Sequence, residues 1–272
     1  MNKTLIPTPP ALPVAPYIGG KKLLARRIIE RLQATPHDLY VEPFVGMGGV
    51  FLRRPFRAHA EVINDISGDV ATLFRVLQRH YEALMDMLRW QLTSRAEFDR
   101  LLAMAPETLT DLERSARFLY LQRTAFGGKV ANRHFGVSPL SPARFDVAKL
   151  GPMLEAVHER LTSVTIERLP WPKLLTRYDR PGALFYLDPP YWNSEADYGD
   201  GVFGRGDFEQ LADHLATLQG GFLLSLNDLP EVRSCFAHFT IDQVETSYSV
   251  GGGARSGKAS EVLISKGVVR GA

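Results

Sequence analysis

Short apolar runs that alternate with helical patterns account for most of this 272-residue chain. Leu24, Ile28 and Leu32 recur every four residues, which predicts a helix over residues 21–32. A second helix is expected in FEQLADHLATLQ, with Asp207 and Gln210 as its capping pair. The segments expected to form strands are LYVEPF, EVIND, SVTIERL, ALFYLDP, GFLLSLN, FTIDQVETSYSV and EVLISKGVV, the last two joined by a glycine-rich turn. This alternation predicts an α/β fold with a doubly wound, mainly parallel sheet.

The block from Gly68 to Leu161 differs from the rest of the chain because it contains helical patterns only. Two pairs within it, Ser94 with Glu97 and Thr110 with Glu113, fit the capping box that begins a helix. Connections within a sheet domain usually run to roughly 2–6 residues, so we expect an inserted helical domain at 69–162. Residues 15–68 and 163–272 would then form the sheet domain. The proline-rich segment 1–14 is expected to be a flexible arm.

Composition limits the class of protein. The single cysteine, Cys235, excludes a disulfide framework and a multi-cysteine zinc site, and we expect it to be a small buried core residue. The seven histidines show no ligand-like spacing, so no metal is expected. No apolar run approaches the roughly 18 residues that cross a membrane. With no secretory leader pattern at the N-terminus, we expect a cytoplasmic protein that is a monomer.

Charge is unevenly distributed, although the net charge is only +2. Residues 114–149 carry seven cations against the single acid Asp146, a local excess of six positive charges. Such a segment suits a polyanion, of which nucleic acid is the commonest. A solvated basic face explains the charge equally well.

Two predicted strands end in residues suited to a nucleotide-like ligand, since ligands of doubly wound sheets bind beyond the carboxyl ends of the strands. In VEPFVGMGGVF, Gly46, Gly48 and Gly49 let the backbone approach a ligand, and the helix expected next would offer its positive end. Phe51 stands where a dinucleotide fingerprint has glycine or alanine, which disfavours a nicotinamide site. Asp65 ends the next strand, where an acid commonly holds ribose hydroxyls; a helix cap or turn is the alternative.

The segment DPPYW, Asp188–Trp192, is the most specific motif. Asp188 stands at a strand end, where its carboxylate can accept a hydrogen bond from an exocyclic amine. Two consecutive prolines stiffen the backbone and hold the Pro189 carbonyl in a set direction. Carboxylate and carbonyl together would clamp an amino group, and Tyr191 offers a face on which a flat heterocycle can stack. The alternative is a strand end with a buried aromatic.

The motifs occur in the order PYIGGK, VEPFVGMGGVF, NDIS, the helical block, LDPPYW, FLLSLND and RSGKASEVLI. In this order the chain, from about residue 15 onward, resembles the D12-class, Dam-like adenine-specific DNA methyltransferases. The resemblance implies a class I S-adenosylmethionine-dependent methyltransferase fold, which is Rossmann-like, with the helical block as target-recognition domain. It also implies S-adenosyl-L-methionine as cofactor and double-stranded DNA as partner. The alternatives are a methyltransferase acting on RNA or the cytosine amine, a nicotinamide oxidoreductase, and a DNA-binding module without activity.

The resemblance also implies roles for individual residues. Tyr17 would pack near the cofactor, Gly19 and Gly20 would allow backbone approach, and Lys21 would meet the methionine carboxylate. A solvated lysine at a helix start is the alternative for Lys21. The other implied cofactor contacts are Glu42, Phe44, Gly46, Gly48, Asp65 and Asp188. The implied catalytic residues are Asp188, Pro189 and Tyr191.

The DNA side is less completely implied. The loop NSEADYGDGVFGRGD, residues 193–207, could close over a flipped-out base, with Tyr198 and Phe203 as apolar contacts. Trp171 stands near the place of an acid in many relatives and is expected to pack on the cofactor's adenine ring. The segment between Gly128 and Phe135 is shorter than the family pattern, so base-reading residues are not assigned. The expected DNA contacts are Arg123, Lys129, Asn132, Arg133, Arg255 and Lys258, with His134 beside them.

Overall fold

The computed structural model describes residues 5–21, 23–136, 142–195, 201–249 and 256–270, with the backbone alone at 245–249 and 256–259. The strands are β1 (Ile6–Pro7), β2 (Leu39–Glu42), β3 (Phe56–Arg57), β4 (Ala60–Asn64), β5 (Val164–Glu167), β6 (Ala183–Leu187), β7 (Gly221–Asn227), β8 (Thr240–Ser249) and β9 (Ser256–Lys266). The α-helices are α1 (Ala25–Ala34), α2 (Gly68–Arg79), α3 (Tyr81–Leu88), α4 (Arg95–Ala103), α5 (Asp111–Thr124), α6 (Val147–Leu161), α7 (Trp171–Tyr178), α8 (Arg205–Thr217) and α9 (Pro230–Cys235). Short 3-10 turns cover Phe51–Arg53, Pro106–Thr108 and Phe126–Gly128.

A seven-stranded sheet has the order β5-β4-β2-β6-β7-β9-β8. The first five strands in this order are parallel, whereas β9 runs antiparallel to β7 and to β8. The predicted doubly wound, mainly parallel α/β sheet is therefore confirmed. Because β4 and β6 lie on opposite sides of β2, a crevice opens beyond the carboxyl ends of these three strands.

The two faces of the sheet bury separate hydrophobic clusters, because successive residues of a strand point to opposite sides. In β6, Leu184 and Tyr186 belong to one cluster, and Ala183, Phe185 and Leu187 belong to the other. The first cluster contains buried residues of α1 to α6, and the second contains residues of α7 to α9. The helical block therefore shares one continuous core with the first face of the sheet.

Of the two capping boxes predicted in the helical block, one forms completely and the other only in part. Thr110 and Glu113 form a full capping box at α5. At α4 the Ser94 hydroxyl accepts the Glu97 N–H, but the Glu97 carboxylate binds Arg100 instead of returning to the cap. Competition from a nearby cation thus leaves this box half-formed.

Two helices begin at residues other than those predicted. α8 begins at Arg205, so Asp207 is its third residue and accepts the Gly204 N–H at 2.7 Å instead of standing at the N-cap. The last part of the predicted loop 193–207 is therefore helical. α1 begins at Ala25, four residues after Lys21, and Gly19, Gly20 and Lys21 line a cavity instead of lying in the helix.

The segment before residue 15 is not a free arm over its described part, residues 5–14. Ile6–Pro7 pairs antiparallel with Phe56–Arg57, and the Ala11 N–H donates to the Leu52 carbonyl at 2.8 Å. Ala11 and Val14 are buried in the first cluster. Prolines favour an extended backbone, which lets this segment lie flat on the core. Across the described ranges, none of the helices combines the length and the apolar character needed to span a membrane.

Candidate active site

A cavity of about 440 Å³ lies beyond the carboxyl ends of β2, β4 and β6. Its wall combines residues from the segment before α1, the turn after β2 and the ends of β4 and β6. The expected cofactor residues that line it are Tyr17, Gly19, Lys21, Glu42, Phe44, Gly46, Asp65 and Asp188. The fold thus brings together residues that lie far apart in the sequence.

The glycine turn after β2 has two parts with different roles. Gly46 lines the cavity with a φ of 50°, and a Cβ at this position would lie 3.0 Å from the Tyr17 ring. Gly48 points away from the cavity, where a Cβ would meet Leu52 at 2.8 Å. The helix expected after the turn is a single 3-10 turn, Phe51–Arg53, because Phe51 and Leu52 are drawn into the core. The turn therefore presents no long helix N-terminus to a ligand.

Asp65 ties the end of β4 to this turn. Its Oδ2 accepts the Gly46 N–H, and its Oδ1 accepts the Ser67 N–H, both at 2.9 Å. Burial raises the pKa of Asp65 to about 6, against the lowering effect of the two N–H groups. Each carboxylate oxygen keeps a second acceptor position. Asp65 is therefore both a turn residue and an acceptor in the cavity wall.

Glu42 is a buried acid at the end of β2. Its Oε2 accepts a hydrogen bond from the Tyr40 hydroxyl at 2.7 Å. Burial raises the pKa of Glu42 to about 8, although the Tyr40 hydrogen bond and the Arg54 charge oppose the rise. In its protonated form, which burial favours, this carboxyl can donate a hydrogen bond into the cavity.

Lys21 and Asp188 form an ion pair inside the cavity. Lys21 Nζ lies 2.8 Å from Asp188 Oδ1, donates to the Gly19 carbonyl at 2.9 Å and stands 4.4 Å above the centre of the Tyr191 ring. Burial raises the pKa of Asp188, and the Lys21 ammonium opposes the rise. Lys21 is only 4% exposed, so the alternative of a solvated lysine is wrong.

The residues after Asp188 are held by the neighbouring strands β7 and β9. The Tyr191 hydroxyl donates to Glu261 of β9. Asn227, at the end of β7, accepts the Trp192 N–H at 3.1 Å and donates to the Trp192 carbonyl at 2.9 Å. Among the described residues, no backbone N–H donates to the Pro189 carbonyl. Pro189 itself is buried and is not among the residues that line the cavity.

Three polar residues of this site were missed in the sequence, namely Ser225, Asn227 and Glu261. Ser225 Oγ donates to Asp188 Oδ1 at 2.8 Å, although its strand, GFLLSLN, is otherwise apolar until Asn227. Glu261 is only 1% exposed within the apolar part of β9. A polar side chain within an apolar strand was the signal that could have identified them, because such groups are hydrogen-bonded when buried.

Two aromatic residues expected at the ligand belong to the second hydrophobic cluster instead. Trp171 is buried and lies edge-on to His214, with ring centres 5.3 Å apart, and it is not part of the cavity wall. Phe203 is 3% exposed and packs edge-on against Phe44 and Phe208. The predictions that Trp171 covers the cofactor ring and that Phe203 contacts the base are therefore wrong, because burial against the sheet satisfies both side chains.

Three other residues singled out in the sequence have no described side chain, and a fourth, Cys235, differs from its prediction. Tyr198 and Arg255 lie outside the described residues, and Lys258 is described only by its backbone position in β9. Cys235 ends α9 and is half-buried, so it is a partly exposed packing residue instead of a fully buried one.

The expected DNA contacts that are described fall into two groups. Arg123 donates to the Val14 carbonyl at 2.6 Å, and Arg133 donates to the Lys129 carbonyl at 3.2 Å. Burial lowers the pKa of both arginines. They hold the protein's own backbone, whereas the side chains of Lys129 and Asn132 are exposed on the turn that follows α5. His134 is exposed beside them.

Gln122 joins this turn to the cavity wall. Its Nε2 donates to the Pro16 carbonyl at 2.8 Å and to the Gly128 carbonyl at 2.6 Å. The Ile18 N–H also donates to the Gly128 carbonyl at 3.1 Å. Gly128 has a φ of 67°, and a Cβ there would lie 3.0 Å from backbone atoms of Pro16 and Tyr17. The turn and the cavity-lining segment are therefore packed backbone against backbone.

Comparison with known proteins identifies relatives over nearly the whole chain. Residues 17–250 match the family model of the D12 class N6 adenine-specific DNA methyltransferases. The type II methyltransferase M.CviBI of Paramecium bursaria Chlorella virus NC1A is 21% identical over 240 residues, which cover 87% of this chain and 90% of that protein. The type II methyltransferase M1.LlaDCHI of Lactococcus lactis subsp. cremoris is 24% identical over 271 residues, covering 93% and 94%. A DNA adenine methylase of Salmonella typhi is 25% identical over 263 residues, covering 91% and 92%.

Proposed function

The chain belongs to the D12 class N6 adenine-specific DNA methyltransferase family, and we propose that it methylates the exocyclic amine of an adenine flipped out of duplex DNA, with S-adenosyl-L-methionine as donor. Its mostly parallel seven-stranded sheet has the mixed α/β architecture of class I methyltransferases. The observation that carries the proposal is the convergence of Asp188, Asp65 and the glycine turn on one cavity. The family match favours adenine in DNA over RNA and over the cytosine amine.

We propose that S-adenosylmethionine binds in this cavity, whose wall supplies carboxylate acceptors and a cation. When bound, this cofactor supplies an electrophilic methyl group on a positively charged sulfur. Asp65 would accept hydrogen bonds from the ribose diol with the second acceptor positions of its carboxylate. Gly46 would let the backbone approach, and Lys21 brings a cation that could meet the methionine carboxylate. The further proposed contacts are Tyr17, Gly19, Glu42 and Phe44, while Gly48 shapes the turn.

The proposed catalysis is electrostatic and geometric. The adenine amine is a poor nucleophile because its lone pair is delocalised into the ring. Asp188 and the Pro189 carbonyl would accept hydrogen bonds from its two N–H groups, which favours a tetrahedral nitrogen and directs the lone pair at the methyl group. The same acceptors stabilise positive charge as it develops on nitrogen, and they are held in place before the reaction. Alignment of nitrogen, methyl and sulfur within the cavity contributes the remainder.

Base flipping and DNA binding complete the proposal. Flipping costs a few kcal/mol of unstacking, and stacking on Tyr191 would return about 1–3 kcal/mol. A base on the face of the ring that Lys21 covers has to displace the Lys21 ammonium. Lys129 and Asn132, which are exposed, would contact DNA, while Arg123 and Arg133 support the turn from within. The helical block that carries this turn would be the target-recognition domain.

Methyl transfer from labelled S-adenosylmethionine to duplex DNA tests the proposal, with RNA as the alternative acceptor and nucleoside analysis to identify the product. We expect N6-methyladenine in DNA, and a loss of at least about a hundredfold in rate for Asp188→Ala. Asp213→Ala is the matched control because Asp213 is an exposed acid of α8 outside the cavity wall. Full activity of a folded Asp188→Ala protein would contradict the proposed mechanism. Long-read sequencing of DNA from expressing cells identifies the bases around the target.

A further inference from the structure

Two donors hold the Asp188 carboxylate, and both converge on the same oxygen. Ser225 Oγ donates to Asp188 Oδ1 at 2.8 Å, and Lys21 Nζ lies 2.8 Å from the same atom. Within the described ranges, no residue donates to Oδ2. The Asp188 side chain is 19% exposed and lines the cavity. Anchoring Oδ1 therefore leaves Oδ2 as the oxygen that can accept a hydrogen bond from a ligand.

Ser225 is itself fixed in direction. It lies in β7, whose Leu224 is the register partner of Leu187 in β6, so that Ser225 is level with Asp188. The Tyr186 hydroxyl lies 3.0 Å from Ser225 Oγ, and both residues are buried. A serine hydroxyl has a single hydrogen, and an ionised carboxylate can only accept. Ser225 therefore donates to Asp188 and accepts from Tyr186, with a longer 3.4 Å contact to the Leu187 carbonyl.

We propose that Ser225 is a positioning residue, which fixes Asp188 Oδ1 so that Oδ2 accepts a hydrogen bond from the target amine. The inference rests on the proposed role of Asp188 in methyl transfer. Lys21 cannot supply the same restraint alone, because its long side chain also bonds the Gly19 carbonyl. Rotation of an aspartate about its terminal bond meets only a broad, shallow preference. Without the Ser225 hydroxyl, Oδ2 would lose its fixed direction toward the cavity.

The surroundings of Asp188 predict a pH signature for this role. Burial raises the pKa of Asp188, the Lys21 charge and the Ser225 hydrogen bond lower it, and the Glu261 charge raises it. Removal of the Ser225 hydroxyl takes away one of the lowering effects and so raises the pKa of Asp188. The acid limb of the methyl-transfer rate should then move to higher pH. The titratable groups that face Asp188 are Lys21, Glu42, Tyr186, Tyr191 and Glu261.

Single-turnover methyl transfer to unmethylated plasmid DNA, measured against pH, tests this inference. We expect Ser225→Ala to slow the step on the order of ten- to a hundredfold, as for loss of a hydrogen bond to a charged group. Tyr186→Phe should slow it less, and the affinity for S-adenosylmethionine should not change in Ser225→Ala. Ser115→Ala is the matched control and should keep the wild-type rate. Ser115 is fully buried, and among the described residues its hydroxyl bonds only the carbonyl of Asp111 in its own helix.

The outcomes separate this inference from the proposed function. A Ser225→Ala rate equal to that of Ser115→Ala, with Asp188→Ala inactive, overturns the role of Ser225 and leaves the proposed function standing. A fully active Asp188→Ala overturns the proposed function itself. A third result is a Ser225→Ala protein that transfers methyl groups slowly while the acid limb of its pH–rate profile is unshifted or its cofactor affinity falls in parallel. Either pattern indicates a structural effect and overturns the inference. If Ser225→Ala does not fold, Tyr186→Phe decides, because it removes only the hydroxyl that supports Ser225.

Discussion

Two adjacent glycines allow the contact between the turn after α5 and the cavity wall to be tested directly. Gly127 and Gly128 both have positive φ values, 70° and 67°. A Cβ at Gly127 meets no atom within 4 Å, whereas one at Gly128 lies 3.0 Å from backbone atoms of Pro16 and Tyr17. Alanine at either position therefore carries the same backbone strain, and only alanine at Gly128 pushes against the segment that lines the cavity.

The expected sizes follow from these two effects. Left-handed backbone costs an L residue roughly 1–2 kcal/mol, which applies to both variants. Overpacking adds about 1–3 kcal/mol at Gly128, because backbone atoms cannot turn away as a side-chain end can. Each kcal/mol lowers the melting temperature of a chain of this size by roughly 2–4 °C. Gly127→Ala should therefore lose about 2–8 °C and Gly128→Ala about twice as much or more.

Cofactor affinity is the functional readout. Displacement of Pro16 and Tyr17, both in the cavity wall, should weaken S-adenosylmethionine binding on the order of tenfold in Gly128→Ala, which corresponds to about 1.4 kcal/mol. Gly127→Ala should bind the cofactor as the wild type does. Thermal unfolding and titration calorimetry, both without DNA, measure the two effects. Equal losses of stability in the two variants, with unchanged affinity in both, would refute the reasoning.

Three further predictions concern other parts of the molecule. Asp65→Asn should weaken S-adenosylmethionine binding. In the wild type the affinity should fall as the pH drops through about 6, where Asp65 becomes protonated. Calorimetry across this pH range measures both effects, and an unchanged pH profile in the variant would contradict the role of Asp65 in cofactor binding. Glu61→Gln should lower the free energy of unfolding by about 3–5 kcal/mol, because Arg54 and Arg160 pair with the buried Glu61 at 2.7 and 2.6 Å. Arg160→Met should lower it less, because the remaining ion pair of Arg54 with Glu61 has no net charge. Urea denaturation measures both changes. Lys129→Ala should reduce the slope of log affinity for DNA against log salt by about 0.9, measured by fluorescence anisotropy, and an unaltered slope would exclude a phosphate contact.

Electrostatics of the basic segment illustrates where a sequence pattern misleads. The excess of cations at 114–149 indicated a polyanion-binding face, but it could not distinguish exposed cations from cations that bind the protein's own carbonyl groups. Arg123 and Arg133 belong to the second kind, and Lys129 to the first. The distinction depends on which backbone lies within reach, that of the distant Val14 for Arg123 and that of the nearby Lys129 for Arg133, and linear charge counts contain no such information.

Aromatic residues show the same limit of sequence patterns, which do not reveal whether a side chain faces a ligand or the core. Tyr191, in a rigid motif at a strand end, lies beside Asp188 as the motif predicted, with the Lys21 ammonium over its ring. Trp171 and Phe203 were also expected to contact ligands, yet both are buried against the second face of the sheet. An aromatic residue of the same type can contact a ligand or be buried in the core, so residue type alone does not distinguish the two. Only the packing of neighbouring helices separates them.

The sequence by itself determined the sheet, the helical block and the family, because strand alternation, helical spacing and motif order are local or ordered features of the chain. The tertiary structure alone decided how the site is held together: the Lys21–Asp188 pair, the Ser225 donor, the Glu261 acceptor and the Gln122 bridge to Pro16. The physical reason is that a buried polar group must find a partner wherever the fold brings one within hydrogen-bonding distance. That partner can lie 106 residues away, as for Gln122 and Pro16, and no short-range pattern records it.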